Sequence, residues 1–352
     1  MLAAVYHGQK DIRVQQWRDP APPEAHEIQL EIVRASICGT DVDEYVSGPH
    51  LVPMKAPHPA SGHIGPLALG HEMVGRVAAV GAEVSGFRTG DLVVPGSGVS
   101  CGNCRLCLAG RTNLCDGYYT VGLHVDGGLA ERVNVPARIS RSVGDCPADV
   151  AIMAQPLAVA LHAARGTGAE PGTSLAVIGL GGIGSLVVAA CTARGVDTIG
   201  VDVSAGRLEV AGRLGASHLI DASDEDAAAA IRRATEGRGA DVVVETSGTP
   251  QGLEAAMRAV SRGGHIRLVG LHRDPSPLDL TRLVLDEIRI STSKVHICDQ
   301  DLPDALALLG EHPAIAHEAV DAVIGLEDIV PAGFQRLAAQ EAAGKIVVCS
   351  GA

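Results

Sequence analysis

The segment Gly179-Leu180-Gly181-Gly182-Ile183-Gly184 lies between an apolar run (174–178) and a helix-compatible apolar stretch. No other feature of the 352 residues limits the fold so strongly. Between a strand and a helix the glycines have separate tasks. Gly179 permits a tight turn, Gly181 lets the backbone approach a pyrophosphate, and Gly184 lets the helix pack close to the strand. Gly182 eases the same turn, and Ile183 stands where free amides at the helix start face negative charge. About 20 residues further on, Asp202 ends the next strand-like run. Its carboxylate can accept from adenosine ribose hydroxyls and would repel a 2′-phosphate, which favours NAD over NADP. Arg207 pulls the other way if it meets a phosphate, and is neutral if it flanks the adenine.

From residue 149 onward the periodicity alternates. Residues 149–167 suit a helix. Runs 174–179, 198–203, 240–248 and 265–271 read as strands, and 182–195, 204–215, 224–237 and 250–264 as helices. Repeated β-α order predicts a parallel sheet covered by helices. Before residue 145 the pattern is different. Short β-like runs (3–7, 12–17, 28–37, 73–81, 91–95, 129–136) are broken by Gly, Pro and Asp. Residues 299–340 read as two further helices, and 345–350 as a strand that returns to the first domain. The length exceeds one ordinary core. The expected division is 1–148, completed by about 291–352, and 149–290. Aromatic residues make up 2% of the chain, so aliphatic side chains must fill both cores.

A net charge of -13 with no Lys/Arg cluster argues against a nucleic-acid partner. The opening residues lack the basic, apolar and cleavage regions of a signal peptide. The apolar stretch 174–193 is long enough to span a membrane, but its glycine spacing and strand–helix pattern fit a soluble domain better. Four of the nine cysteines lie within fifteen residues. Without an export signal, that density predicts metal ligation in a reducing cytoplasm rather than disulfides.

Those four, Cys101, Cys104, Cys107 and Cys115, have C-x2-C-x2-C-x7-C spacing. Four thiolates in a short lobe suit tetrahedral zinc and leave no open coordination position, so the site should be structural. An iron–sulfur cluster is the rival reading. Cys38, the pair His71-Glu72, and Gln155 at the start of a helix are the remaining candidates. Taken singly, Cys38 is a small buried hydrophobe and His71 a hydrogen-bonded structural histidine.

Taken together they carry a resemblance. The segments 37–49, 66–77, the cysteine lobe, 126–133, 155–163, 179–184 and 325–329 occur in one order. In this the chain resembles the zinc-dependent medium-chain dehydrogenase/reductase family, closest to its 2,3-butanediol and sorbitol (polyol) dehydrogenase branches. The resemblance implies an α/β fold with a GroES-like β-rich catalytic domain and a Rossmann doubly wound parallel-sheet domain. It also implies two zinc ions per subunit, NAD as cofactor, and a homodimer or homotetramer formed through the nucleotide domain's sheet edge. Cys38 and His71 would hold catalytic zinc, with Glu72 as an inner ligand or exchangeable neighbour. Thr40 would supply the hydroxyl that passes the substrate proton.

Two positions depart from those branches. Gln155 stands where they usually have glutamate, so an amide oxygen would coordinate zinc or orient its bound water. Asp43 stands where they have the histidine that finishes the proton path, and a carboxylate has a lower ordinary pKa. His296-Ile297-Cys298 lie near the place of a polyol-binding arginine, which argues against a long sugar alcohol. The expected activity is reversible oxidation of a secondary alcohol or vicinal diol to the ketone, of the 2,3-butanediol/acetoin kind. Polyol or cyclic secondary-alcohol oxidation is the alternative. A zinc-free quinone or enoyl reductase would not need Cys38, His71 and Glu72. A non-enzymatic NAD-binding protein would need only the glycine segment and the cysteine lobe.

Overall fold

The computed structural model describes residues 1–273 and 275–350. It divides into one unit of Met1–Ala158 with His296–Ala352 and a second of Val159–Val295. The first division point lies within the helix Ala154–Arg165 rather than ahead of it.

The second unit is built on six parallel strands: Leu175–Ile178, Thr198–Asp202, His218–Asp221, Ala240–Glu245, Val260–Leu268 and Arg289–Thr292. Their spatial order is third, second, first, fourth, fifth, sixth. That is the doubly wound order, and its reversal beside the first strand places the ligand crevice at the strands' carboxyl ends. All four residues of the first strand are buried, as expected of a sheet covered on both faces. Local chemistry sets the helix starts. The side chains of Asp226, Thr249 and Asp279 accept from Ala229 N–H, Gly252 N–H and Arg282 N–H at 2.8, 3.0 and 2.9 Å. Pro250 adds a fixed φ in the first turn after Thr249.

Two strands of this sheet, His218–Asp221 and Arg289–Thr292, were not legible as strands in the sequence. Both lie at the sheet's edges, where alternation is incomplete and residues such as His218, Leu219 and Arg289 are exposed. Residues 260–264, read as the end of a helix, instead begin the fifth strand. The helix Pro250–Ala259 stops where Val260 turns extended.

Among the described residues the first unit holds three sheets. The largest runs Ser140–Ser142, Leu92–Pro95, Glu72–Val80, Glu27–Ser36, Lys345–Cys349, Val320–Gly325, with Arg132–Pro136 also paired to Glu27–Ser36. The closing strand does return here, pairing antiparallel with Glu27–Ser36 through Val347 opposite Ser36. Its other neighbour, Val320–Gly325, falls within 299–340, read as two helices; there Cys298–Glu311 and Ala314–Ala319 come before the strand, and helical turns over Ile329–Gln335 and Arg336–Ala338 follow it. The single helix expected over 149–167 is two, Ala148–Ala151 and Ala154–Arg165. Aliphatics fill the core around a few rings, with Tyr45 and Phe334 tilted at 5.5 Å between centroids. Among the described residues no helix is long and apolar enough to cross a membrane.

Candidate metal and nucleotide sites

Antiparallel register assembles the first cluster. Ser36 pairs with Glu72, so the chain leaving one strand and entering its neighbour meets at the same sheet end. Cys38 caps the helix Gly39–Ser47 there, and His71 immediately precedes the strand Glu72–Val80. One ligand atom from each of Cys38, His71 and Glu72 lies within 4.8 Å of the others. Both His71 and Glu72 are buried.

A second layer orients them. Asp41, fully buried in the helix's first turn, accepts the Cys38 backbone N–H at 3.0 Å. Its other oxygen lies 3.3 Å from His71 Nδ1, at ion-pair distance but out of hydrogen-bond alignment. Burial alone would lower the His71 pKa, but Asp41 and then Cys38 hold it well above the usual histidine value. A carboxylate behind a histidine fixes which nitrogen faces a metal. Glu72 is held from the other side. Lys345 Nζ reaches its carboxylate at 2.7 Å and the Ile37 carbonyl at 3.0 Å, while the Ser36 hydroxyl donates to Oε2. Burial would lower the Lys345 pKa, yet Glu72 and Cys38 raise it above its ordinary value.

The cysteine lobe is local. Cys104 caps the short helix Arg105–Leu108, which turns Cys107 back toward it. The four sulfurs of Cys101, Cys104, Cys107 and Cys115 lie within 4.8 Å of one another. Backbone N–H groups of Cys101 and Gly117 donate to Cys115 Sγ at 3.1 and 3.3 Å. Burial nevertheless pushes Cys115 up to about 11, while N–H groups of Asp116 and Cys107 bring Cys104 down to about 6. All four are free thiols, and sulfur donors in this number suit zinc.

In the second unit the glycine turn follows the first strand. Gly179 has φ +89°, and a Cβ there would lie 2.8 Å from Ser247 N. A Cβ on Gly184 would lie 1.9 Å from the Gly179 carbonyl oxygen, so glycine is required at both places. Around Gly181 there is open space, which leaves the backbone approachable. Ile183 caps the helix Gly184–Thr192. Asp202 is buried and accepts Leu180 N–H at 2.6 Å and Ser204 N–H at 2.9 Å. Arg207 lies 3.8 Å from its Oδ1. Asp202 therefore braces the glycine turn as well as standing at the end of the second strand.

Thr40 sits beside the first cluster, its hydroxyl 3.9 Å from Cys38 Sγ. Gln155 is buried and donates its amide N–H to the Ser97 hydroxyl at 3.0 Å. Asp43 is half-buried on the same helix as Thr40. Sequence reasoning passed over Asp41, Ser36 and Lys345. For Asp41 a signal existed, since an acidic residue three positions after a helix cap is a capping-box pattern. Lys345 is separated from Glu72 by most of the chain, and no local pattern announces it.

Residues 24–148 match the model of an alcohol dehydrogenase GroES-like domain, and residues 182–311 that of a zinc-binding dehydrogenase. The sorbitol dehydrogenase of Bacillus subtilis is 35% identical over 297 residues, 82% of this chain and 81% of the relative. The L-threonine 3-dehydrogenase of Caldanaerobacter subterraneus subsp. tengcongensis is 32% identical over 261 residues, 74% of this chain and 73% of the relative. Among solved structures, the 2R,3R-butanediol dehydrogenase from Bacillus subtilis superposes with a TM-score of 0.91 at 30% identity, covering 99% of each chain. The chain belongs to the zinc-type medium-chain alcohol dehydrogenase family and is an oxidoreductase of that class.

Proposed function

We propose that this protein is a zinc-dependent, NAD-linked dehydrogenase. Its substrate is a secondary alcohol with a polar group on the next carbon, and the product is the corresponding ketone. The observation that carries the reading is the convergence of Cys38, His71 and Glu72, with Asp41 3.3 Å behind the histidine. Three protein donors of mixed type suit a zinc ion that still has a place for substrate, whereas the four-thiolate lobe suits a closed one. The compounds in the relatives' names, sorbitol, threonine and 2R,3R-butanediol, share a secondary hydroxyl beside a carbon bearing a second polar group. A vicinal diol of the 2,3-butanediol/acetoin kind satisfies all of them. The sorbitol dehydrogenase relative favours a longer polyol as the second reading.

Cys38 and His71 would hold the catalytic zinc, with Gln155 adding its amide oxygen while its N–H stays on Ser97. Glu72, gripped by Lys345 and Ser36, would be an inner ligand or an exchangeable neighbour of that zinc. Zinc supplies a Lewis acid for the substrate oxygen, and NAD supplies the hydride acceptor. The protein's own work is to place the substrate and move one proton. Thr40 would relay that proton, its hydroxyl releasing its own hydrogen as it accepts, and Asp43, three residues on in the same helix, would pass it toward solvent. Cys101, Cys104, Cys107 and Cys115 would hold the second zinc.

Gly179, Gly181, Gly182, Ile183 and Gly184 would take the pyrophosphate, and Asp202 the adenosine ribose. Asp202 has spare lone pairs after its two backbone bonds. Arg207 faces that carboxylate, which reduces the positive charge it can offer to a 2′-phosphate. NAD is therefore preferred over NADP. A homodimer or homotetramer accords with the exposed Leu280, Val284 and Leu285 on the helix preceding the edge strand Arg289–Thr292.

A panel of vicinal diols, linear polyols and cyclic alcohols, assayed with NAD and NADP, tests the reading. It predicts the highest kcat/KM with a small vicinal diol and NAD. Turnover confined to linear polyols would select the second reading. Zinc-independent reduction of quinones or enoyl substrates would overturn both.

A further inference from the structure

The carboxyl ends of the fourth and fifth nucleotide-sheet strands carry a pair that the roles above leave unused. Glu245, fully buried at the end of the fourth strand, accepts Ser247 N–H at 2.8 Å, Gly248 N–H at 3.1 Å and the Ser247 hydroxyl. Its Oε2 lies 2.9 Å from Nε2 of His272, just past the fifth strand. A carboxylate only accepts, so a neutral His272 ring carries its hydrogen on Nε2 and leaves a lone pair on Nδ1. That Nδ1 is buried and has no hydrogen-bond partner among the described residues. Leaving such an atom unpaired is costly. Such a group in a folded protein calls for a partner, whether a water, an ion or a ligand.

The pair is held in a fixed place. A Cβ on Gly270 would lie 2.3 Å from Gly248 N and 2.9 Å from Glu245 Oε2, so the two loops touch backbone to backbone. The Thr246 hydroxyl donates to the carbonyls of Ile178 (3.1 Å) and Gly179, tying these loops to the glycine turn. In a doubly wound sheet each half of the dinucleotide lies on one half of the strands, along their carboxyl ends. Asp202 belongs to the first half of the sheet, and Glu245 and His272 to the second.

We infer that His272, oriented by Glu245, binds the nicotinamide-riboside half of the dinucleotide, with Nδ1 accepting from a ribose hydroxyl or the carboxamide N–H. This rests on the NAD reading above. Glu245 is a positioning residue, because it decides which ring nitrogen carries the hydrogen.

Calorimetric binding of NAD, ADP-ribose and ADP at pH 8 tests it. His272→Ala should weaken NAD by roughly 5- to 10-fold, the loss of one hydrogen bond, and leave ADP unchanged. ADP-ribose weakens equally if the ribose is the donor and is unaffected if the carboxamide is. In Glu245→Gln the amide donates to Nε2, the ring hydrogen moves to Nδ1, and the acceptor becomes a donor. NAD binding should then fall at least as far, with ADP again unchanged. Equal losses for NAD and ADP, or undiminished NAD affinity in His272→Ala, would overturn the inference alone. A wild-type protein that binds neither NAD nor ADP-ribose would overturn the NAD reading and the inference with it.

Discussion

The cysteine lobe and the Cys38–His71–Glu72 cluster both gather metal-binding donors within 4.8 Å, but they are built in opposite ways. The lobe draws its four sulfurs from one short segment bent by a single helical turn. The other cluster needs two strands in register, a helix cap, and a lysine from the far end of the chain. In the lobe the polar contacts to the sulfurs come from backbone N–H groups, such as those of Cys101 and Gly117 to Cys115 Sγ. Around the second cluster stand buried side chains, Asp41, Ser36 and Lys345, that reach its donors directly. A closed set of thiolates can hold a metal by itself, whereas a site that keeps a position open depends on its surroundings to stay in shape.

The largest expected effect separates the two functionally. Cys38→Ala should lower kcat by about 1000-fold or more, since several kcal/mol of Lewis-acid stabilisation goes with the metal. Its melting temperature should stay near that of the wild type. If turnover survives, the cluster is not where the chemistry occurs.

Lys345→Met tests the long-range support. It leaves Glu72 buried without its cation, which should cost about 3–5 kcal/mol of stability in denaturant unfolding. A loss of a few tenths of a kcal/mol would mean that Ser36 alone suffices to hold the carboxylate.

Asp41→Asn should reduce activity or catalytic-zinc affinity by about 10- to 100-fold, the usual cost of losing a partner behind a metal-bound histidine. The lobe's zinc should be retained. Parallel loss from both sites would erase the distinction between them.

Gln155→Glu sharpens the comparison with the smallest change. A carboxylate in place of the amide should slow zinc release to a chelator and raise the pH at which turnover rises, because a less positive metal lowers the substrate's pKa less. Release kinetics identical to the wild type would remove Gln155 from the metal site and leave it as the partner of Ser97.

Legibility in the sequence followed the same divide. The lobe and the glycine turn could be read directly, because their spacing is local and few other structures use it. Cys38 and His71 carried no such signal singly and became legible only through the order of several motifs. Lys345 and Ser36 stayed hidden because their roles come from pairing the closing strand with Glu27–Ser36. The strand Val320–Gly325 was missed for a related reason. Its edge position leaves Val323 58% exposed, which blurs the alternation that marks a strand. Asp202, at a strand end, reads from the sequence as a ribose acceptor; its two bonds to the Leu180 and Ser204 amides add a bracing contact that no local pattern announces.

The central claim is that one chain carries two zinc sites, one open for chemistry and one closed for structure. Zinc content per chain, measured on wild type, Cys38→Ala and Cys107→Ser with melting curves taken in parallel, tests it most directly. The account predicts two zinc ions in the wild type and one in Cys38→Ala with an unchanged melt. It predicts a clearly lowered melt in Cys107→Ser, because binding in a structural site is coupled to folding. One zinc per chain in a fully loaded, active wild type would contradict it, as would a Cys38→Ala variant that keeps both ions.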